Sequence, residues 1–186
     1  MAPARGAFSV EGNDQEAALT PHDTHPILLC YDGSAGSRLA VQRAASLFPG
    51  HAATVLHVWT PLAVTAFAYG AMMIPSVDES EIEAAAMKVA EEGAALAGEL
   101  GLLATAEIAK ATYEGTWHAV VASADAHDAV LIAIGARGLS TFKSIFLGSV
   151  SHGVVQHAAR PVLVVPPPAR AEQERAVEVE QAALVL

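Results

Sequence analysis

The chain has 186 residues, 53% of them hydrophobic and 16% charged, with a formal net charge of −10. That is enough for one domain with a substantial core, too short for two comfortable ones, and too apolar for a disordered chain. The acidic balance argues against a general nucleic-acid or anionic-membrane binder, and the single cysteine, Cys30, excludes an internal disulfide.

Residues 1–25 mix Gly6, Glu11, Gly12, Asn13, Asp14 and Pro21 and lack the basic-then-apolar order of a signal peptide. They read as an N-terminal tail that is mobile and dispensable for folding. No stretch has the length and continuous apolarity of a membrane span, so a cytoplasmic protein is expected.

The domain proper is expected over residues 26–168. Ile27 to Tyr31 is a short apolar strand ending at the turn signal Asp32-Gly33-Ser34. Ser37 to Phe48 carries Leu39, Val41, Ala44, Ala45 and Phe48 at helical spacing and stops at Pro49-Gly50. Ala53 to Trp59 is the second strand. Thr60 to Pro75 reads as a long, weakly polar connection. Ser76 to Leu100 is the longest helix, with capping-box spacing at Ser76/Glu79 and again at Asp78/Glu81. Its expected inward stripe is Ile82, Ala85, Ala86, Val89, Ala90, Gly93, Leu96 and Leu100, and Gly101 closes it.

Thr105 to Ala111 is a weaker strand suited to a sheet edge, and Thr116 to Ala124 a short helix. Ala129 to Ile134 is the most apolar strand. Ser149 to Ala158 is a helix with Val150, Val154, Val155 and Ala158 inward, and Pro161 to Val165 is the last strand. Residues 169–186 form a C-terminal tail whose charges lead to an apolar end.

Strands separated by helices run parallel, because a crossover of that length returns the chain to the same end. The expected fold is therefore α/β: a doubly wound, five-stranded parallel sheet, order 3-2-1-4-5, with helices on both faces. In such sheets ligands bind at the carboxyl ends of the strands beside the switch point. Here those ends are Asp32, His57-Val58-Trp59 and Gly135 onward.

Between Asp128 and Glu172 there is no Asp or Glu, while Arg137, Lys143, Arg160 and Arg170 all lie in the gap. An anion would be welcome there, although a segment of buried strand and helix excludes charge of either sign as well. Within the gap stand Gly135-Ala-Arg-Gly138 and, nine residues on, Gly148-Ser149 at a helix start. Strand-top glycines let backbone N–H groups approach a ligand. A helix N-terminus offers unpaired donors and a dipole favouring anions, and Ser149 and Ser151 add hydroxyls. The same glycines would also serve as a plain tight connection with Ser149 as a cap. No P-loop and no dinucleotide glycine fingerprint is present.

The Gly135-x-x-Gly138-x9-Gly148-Ser149 spacing resembles the nucleotide-binding signature of the universal stress protein family. The first strand through Asp32-Gly33-Ser34 and the ending Ala159-Arg160-Pro161-Val162-Leu163-Val164-Val165 resemble it too. The resemblance implies an ATP-binding regulatory protein of the stress response that switches with nucleotide state. An AMP or cyclic AMP module, or a slow ATPase at the same site, are the alternatives. It implies Asp32 at the adenine and ribose end and a backbone contact from Val58 to adenine. Gly135, Arg137, Gly138, Gly148, Ser149, Val150 and Ser151 would be the phosphate-binding loop and helix start. Ala136 stands where a hydroxyl side chain is common. ATP, with or without Mg2+, is the implied ligand, with no catalytic residue and no protein metal site. The implied partners are a second copy through strand 161–165 and a downstream protein the sequence does not name.

His152 and His157, five apart, and His22 and His25 lack metal-ligand spacing on one helix face. His152 sits in the first turn of the phosphate helix, within reach of a phosphate or simply exposed. Cys30 reads as a buried strand residue rather than a redox centre.

Overall fold

A computed structural model describes residues 25–68, 78–138 and 147–167. The five strands are β1 Ile27–Cys30, β2 Ala52–Trp59, β3 Leu103–Lys110, β4 Leu131–Gly135 and β5 Val162–Val165. All pairings are parallel, as the alternation of elements implies, and the order is β3-β2-β1-β4-β5, the one expected. The helices are α1 Ala35–Leu47, α2 Leu62–Ala68, α3 Ser80–Glu99, α4 Thr116–Ala126 and α5 Ser149–His157.

β1 lies at the centre, and its Ile27, Leu28 and Leu29 are at most 1% exposed. Strand alternation sends Ile27, Leu29 and Tyr31 to one face, where Val41, Ala44 and Val55 join Ala97 of α3. Leu28 and Leu56 face the other side with Val120 and Ala124 of α4, Ile132, and Val154 of α5. Both faces are therefore covered, which is why the central strands read as unbroken apolar runs. Each fully buried Leu or Ile contributes about 2 kcal/mol to that core.

α3 packs through small residues: Ala86, Ala90, Gly93 and Ala97 are its buried positions. This stripe differs from the expected one. Ala97 replaces Leu100, which is 40% exposed, and Ala85 faces solvent. The helix begins at Ser80, where the Asp78 carboxylate accepts the Ser80 N–H at 2.9 Å; Ser76 lies outside the described residues. On α5, Val154 is buried but Val155 is 49% exposed. The connection expected over Thr60 to Pro75 contains α2, started after Pro61. Pro suits a helix start because its missing N–H would go unused there. Residues 1–24, the segment 139–146 that includes Lys143, and the C-terminal residues from 168 lie outside the described residues.

Candidate functional site

Two loops meet above the central strands. β1 ends at Cys30, and the chain turns away through Asp32 and Gly33, whose φ of 76° is a left-handed conformation that glycine tolerates. The Ser34 N–H donates to Asp32 Oδ1 at 3.0 Å, closing an Asx turn. Ser34 then caps α1, its Oγ accepting the Ser37 N–H at 3.1 Å. Helix α1 thus starts two residues earlier than its apolar spacing alone suggests. One carboxylate oxygen of Asp32 is held by the turn, and the other faces the loop after β4.

That second loop packs backbone on backbone against the first. A Cβ at Gly36 would lie 2.5 Å from the Arg137 carbonyl oxygen, and one at Gly135 would lie 2.9 Å from the Gly36 carbonyl. A Cβ at Gly138 would meet Asp32 Oδ2 at 2.5 Å. The loop returns to the sheet at Gly148, whose N–H donates to the Ala136 carbonyl at 2.8 Å. The Ala136 N–H in turn donates to Val165 at 2.7 Å, tying the loop to β5.

Gly148 is the N-cap of α5, so the first-turn N–H groups of Ser149, Val150 and Ser151 have no helical carbonyl to bond. They face the space above β1 and β4. The Ser151 hydroxyl is not free for a ligand. It is 3.0 Å from the carbonyls of both Ala136 and Gly148, to which it donates, and the residue is 2% exposed. Its side chain therefore pins the helix start to the strand top. Ser149 is exposed and lines the cavity.

At the other end, the β1–β2 ladder stops early. Tyr31 donates its N–H to the Leu56 carbonyl at 2.9 Å, the last backbone bond between these strands among the described residues. By alternation the N–H and C=O of Val58 point to the same side as those of Leu56. They therefore face the space β1 has vacated, without a backbone partner among the described residues.

These features enclose one cavity of about 550 Å³, a volume typical of small-molecule sites. All nine residues singled out in the sequence line it: Asp32 and Val58 at one end, Gly135, Arg137 and Gly138 in the middle, and Gly148, Ser149, Val150 and Ser151 at the other. Leu56, Val120 and Ile134 give it an apolar floor. Sequence reasoning missed Ser37 and Thr116, which also line it. The cap spacing of Ser34 and Ser37 was a signal for the first. Thr116 carries none, because only the folded sheet brings the start of α4 there. His152 is exposed and outside the lining.

Cys30 lines the floor, where burial first and the Asp32 carboxylate second push its thiol up to about 12. A thiol that stays protonated is a packing group, not a nucleophile. The neighbouring Tyr31 is 2% exposed, and its hydroxyl donates to Glu92 Oε1 at 2.8 Å. Burial and that hydrogen bond push the phenol up to about 12 as well. The same bond from Tyr31, with a second from Arg38, holds the Glu92 carboxyl below its ordinary range. Tyr31 is thus held at its hydroxyl by Glu92 and at its N–H by Leu56, and with it the turn into Asp32.

The family model described as the Universal stress protein family matches residues 24–166. The chain is 34% identical over 146 residues to the universal stress protein YxiE of Bacillus subtilis, covering 75% of this chain and 97% of that one. Among solved structures, a universal stress protein from Archaeoglobus fulgidus superposes with a TM-score of 0.58 at 22% identity, over 76% of this chain and 98% of that one. A universal stress protein in complex with cAMP superposes with a TM-score of 0.55 at 23% identity, over 78% of this chain and the whole of the other.

Proposed function

The chain belongs to the universal stress protein family, and on that premise we propose that it is a regulatory protein that binds ATP in the strand-top cavity and changes partners or stability with nucleotide state. The observation that carries the reading is the placement of three different recognition elements around one cavity. An open backbone edge at Val58 suits a base, the Asp32 carboxylate suits ribose hydroxyls, and the start of α5 suits phosphate. The cradle fits such a ligand. Gly148 has φ −63° and ψ 160°, which any residue adopts, and its Cβ would come no closer than 3.4 Å to Ala136 O. Glycine there serves close approach of a ligand rather than the fold. Arg137 is among the lining residues.

A second reading is an AMP or cyclic AMP module at the same site; a structural relative is complexed with cAMP. In either reading hydrolysis is slow, because Asp32 is the one carboxylate among the lining residues and its Oδ1 already accepts a backbone N–H. The test is to denature the freshly purified protein and identify any released nucleotide. An adenine nucleotide in stoichiometric amount supports the reading, and its identity separates ATP from AMP and cyclic AMP. A protein that carries none and binds none on titration overturns it.

The proposed assembly is a homodimer through β5. This strand pairs with β4 on one side and is the sheet edge on the other. Val162, Leu163 and Val164 are only half-buried, and no charge protects the edge. An antiparallel pairing with a second copy would cover it. Sedimentation should show a dimer at micromolar concentration, and Val164→Lys should shift it to monomer. A stable wild-type monomer contradicts the assembly.

A further inference from the structure

We infer that His57 is a positioning residue: its imidazole occupies the Tyr31 carbonyl that a continued ladder would give to the Val58 N–H, and so keeps Val58's edge open for the base. This rests on the nucleotide reading above and deepens it.

In a parallel ladder Leu56 pairs with Cys30, accepts from the Tyr31 N–H, and is followed by a bond from the Val58 N–H to the Tyr31 carbonyl. That next bond is absent. His57 Nδ1 lies 2.8 Å from the Tyr31 oxygen instead. A carbonyl only accepts, so Nδ1 carries the proton and the tautomer of a neutral ring is set. The partner that Val58's own C=O would have found is also gone. In the ladder it would be the Gly33 N–H, and the chain has swung aside there through the left-handed turn at Gly33 and the Asx turn of Asp32.

Val58 is thus left with a donor and an acceptor pointing into the cavity from one residue. Adenine presents the complement on its Watson–Crick edge, an acceptor at N1 and a donor at the N6 amino group. Hypoxanthine and guanine present the opposite order, N1–H and O6, and leave two buried polar groups facing their own kind. The structure therefore assigns base choice to main-chain atoms and the availability of those atoms to an imidazole that does not itself need to touch the base.

The experiment has a ligand-free arm and a ligand arm, on the full chain. Backbone amide exchange of the unliganded protein should show the Val58 N–H exchanging at least about tenfold faster in wild type than in His57→Leu, where it closes onto Tyr31 O. Calorimetry with ATP and inosine triphosphate should show a wild-type preference for ATP that shrinks about fivefold to tenfold in His57→Leu, the scale of one hydrogen bond. Tripolyphosphate affinity should be unchanged in that variant. His57→Asn, whose amide nitrogen reaches the place of Nδ1, should restore both the fast exchange and the preference. Equal Val58 exchange in all three proteins, or loss of ATP, inosine triphosphate and tripolyphosphate binding in parallel, overturns the role given to His57. ATP binding with an unchanged ATP preference in His57→Leu overturns it while sparing the nucleotide reading. A wild type that binds neither nucleotide overturns both.

Discussion

Glycines in two regions of this molecule do opposite work. Gly93 packs on the sheet and Gly153 of α5 packs on α4, where a Cβ would sit 2.6 Å from the Tyr31 ring and 2.5 Å from the Trp117 ring. Gly148 lies at the cavity, where a Cβ would meet nothing closer than 3.4 Å. The first two are demanded by neighbouring side chains. Gly148 is not demanded by the fold, and a glycine the fold does not need is best explained by what approaches it. Packing and binding should therefore separate cleanly on substitution.

The largest expected effect is on the packing side. Gly93→Val forces a branched side chain into Tyr31 and Val55, and should cost about 3 kcal/mol, read as a lower urea midpoint. Gly148→Ala should leave that midpoint within about 0.5 kcal/mol of wild type. A comparable loss at both positions would erase the distinction.

The next effect tests the buried ring against which Gly93 packs. Unfolded, Cys30 and Tyr31 release protons near their ordinary values of 9.0 and 10.0; folded, each holds its proton to about 12. Between those limits the unfolded chain binds fewer protons, so stability falls as pH rises. The Tyr31 contribution is complete below pH 10 and is lost as pH climbs through about 12. Thermal melts of Tyr31→Phe should decline less steeply across that window than wild type. An identical slope would show that the phenol is not held as described.

The two serines of α5 give the smallest and most selective comparison. Ser151→Ala removes the donor shared by two carbonyls and should cost about 1 kcal/mol of stability. Ser149→Ala should leave stability unchanged and weaken ATP by about 1 kcal/mol, or about fivefold. Reversed outcomes would mean that Ser151, not Ser149, serves the ligand.

Much of this division was readable beforehand, and the exceptions share a cause. Alternating strand and helix patterns, each closed by a turn signal, were enough for a parallel sheet, and the resemblance to the universal stress protein family pointed to the nine cavity residues. What remained hidden depends on elements far apart in the chain coming into contact. Nothing near Gly153 in the chain announces Trp117, and nothing near Gly36 announces the Arg137 carbonyl. On α3 the buried stripe runs through Ala86, Ala90, Gly93 and Ala97, and Leu100 stays exposed because it is the C-cap residue beyond the last helical turn. Helix α2 escaped because Leu62–Ala68 has a single polar residue, Thr65, and so shows no apolar period. The unpaired edge at Val58 was invisible for a different reason. It is created by a ladder that stops, and only the register shows where.

The central claim is that the cavity above β1 and β4 holds an adenine nucleotide with its phosphates at the start of α5. Calorimetric titration of wild type and Gly148→Arg with ATP, at matched thermal stability, tests it most directly. The account predicts saturable one-site binding to wild type and a loss of more than about 100-fold in the variant, whose side chain fills the phosphate cradle. Equal ATP affinity in two equally stable proteins would contradict it.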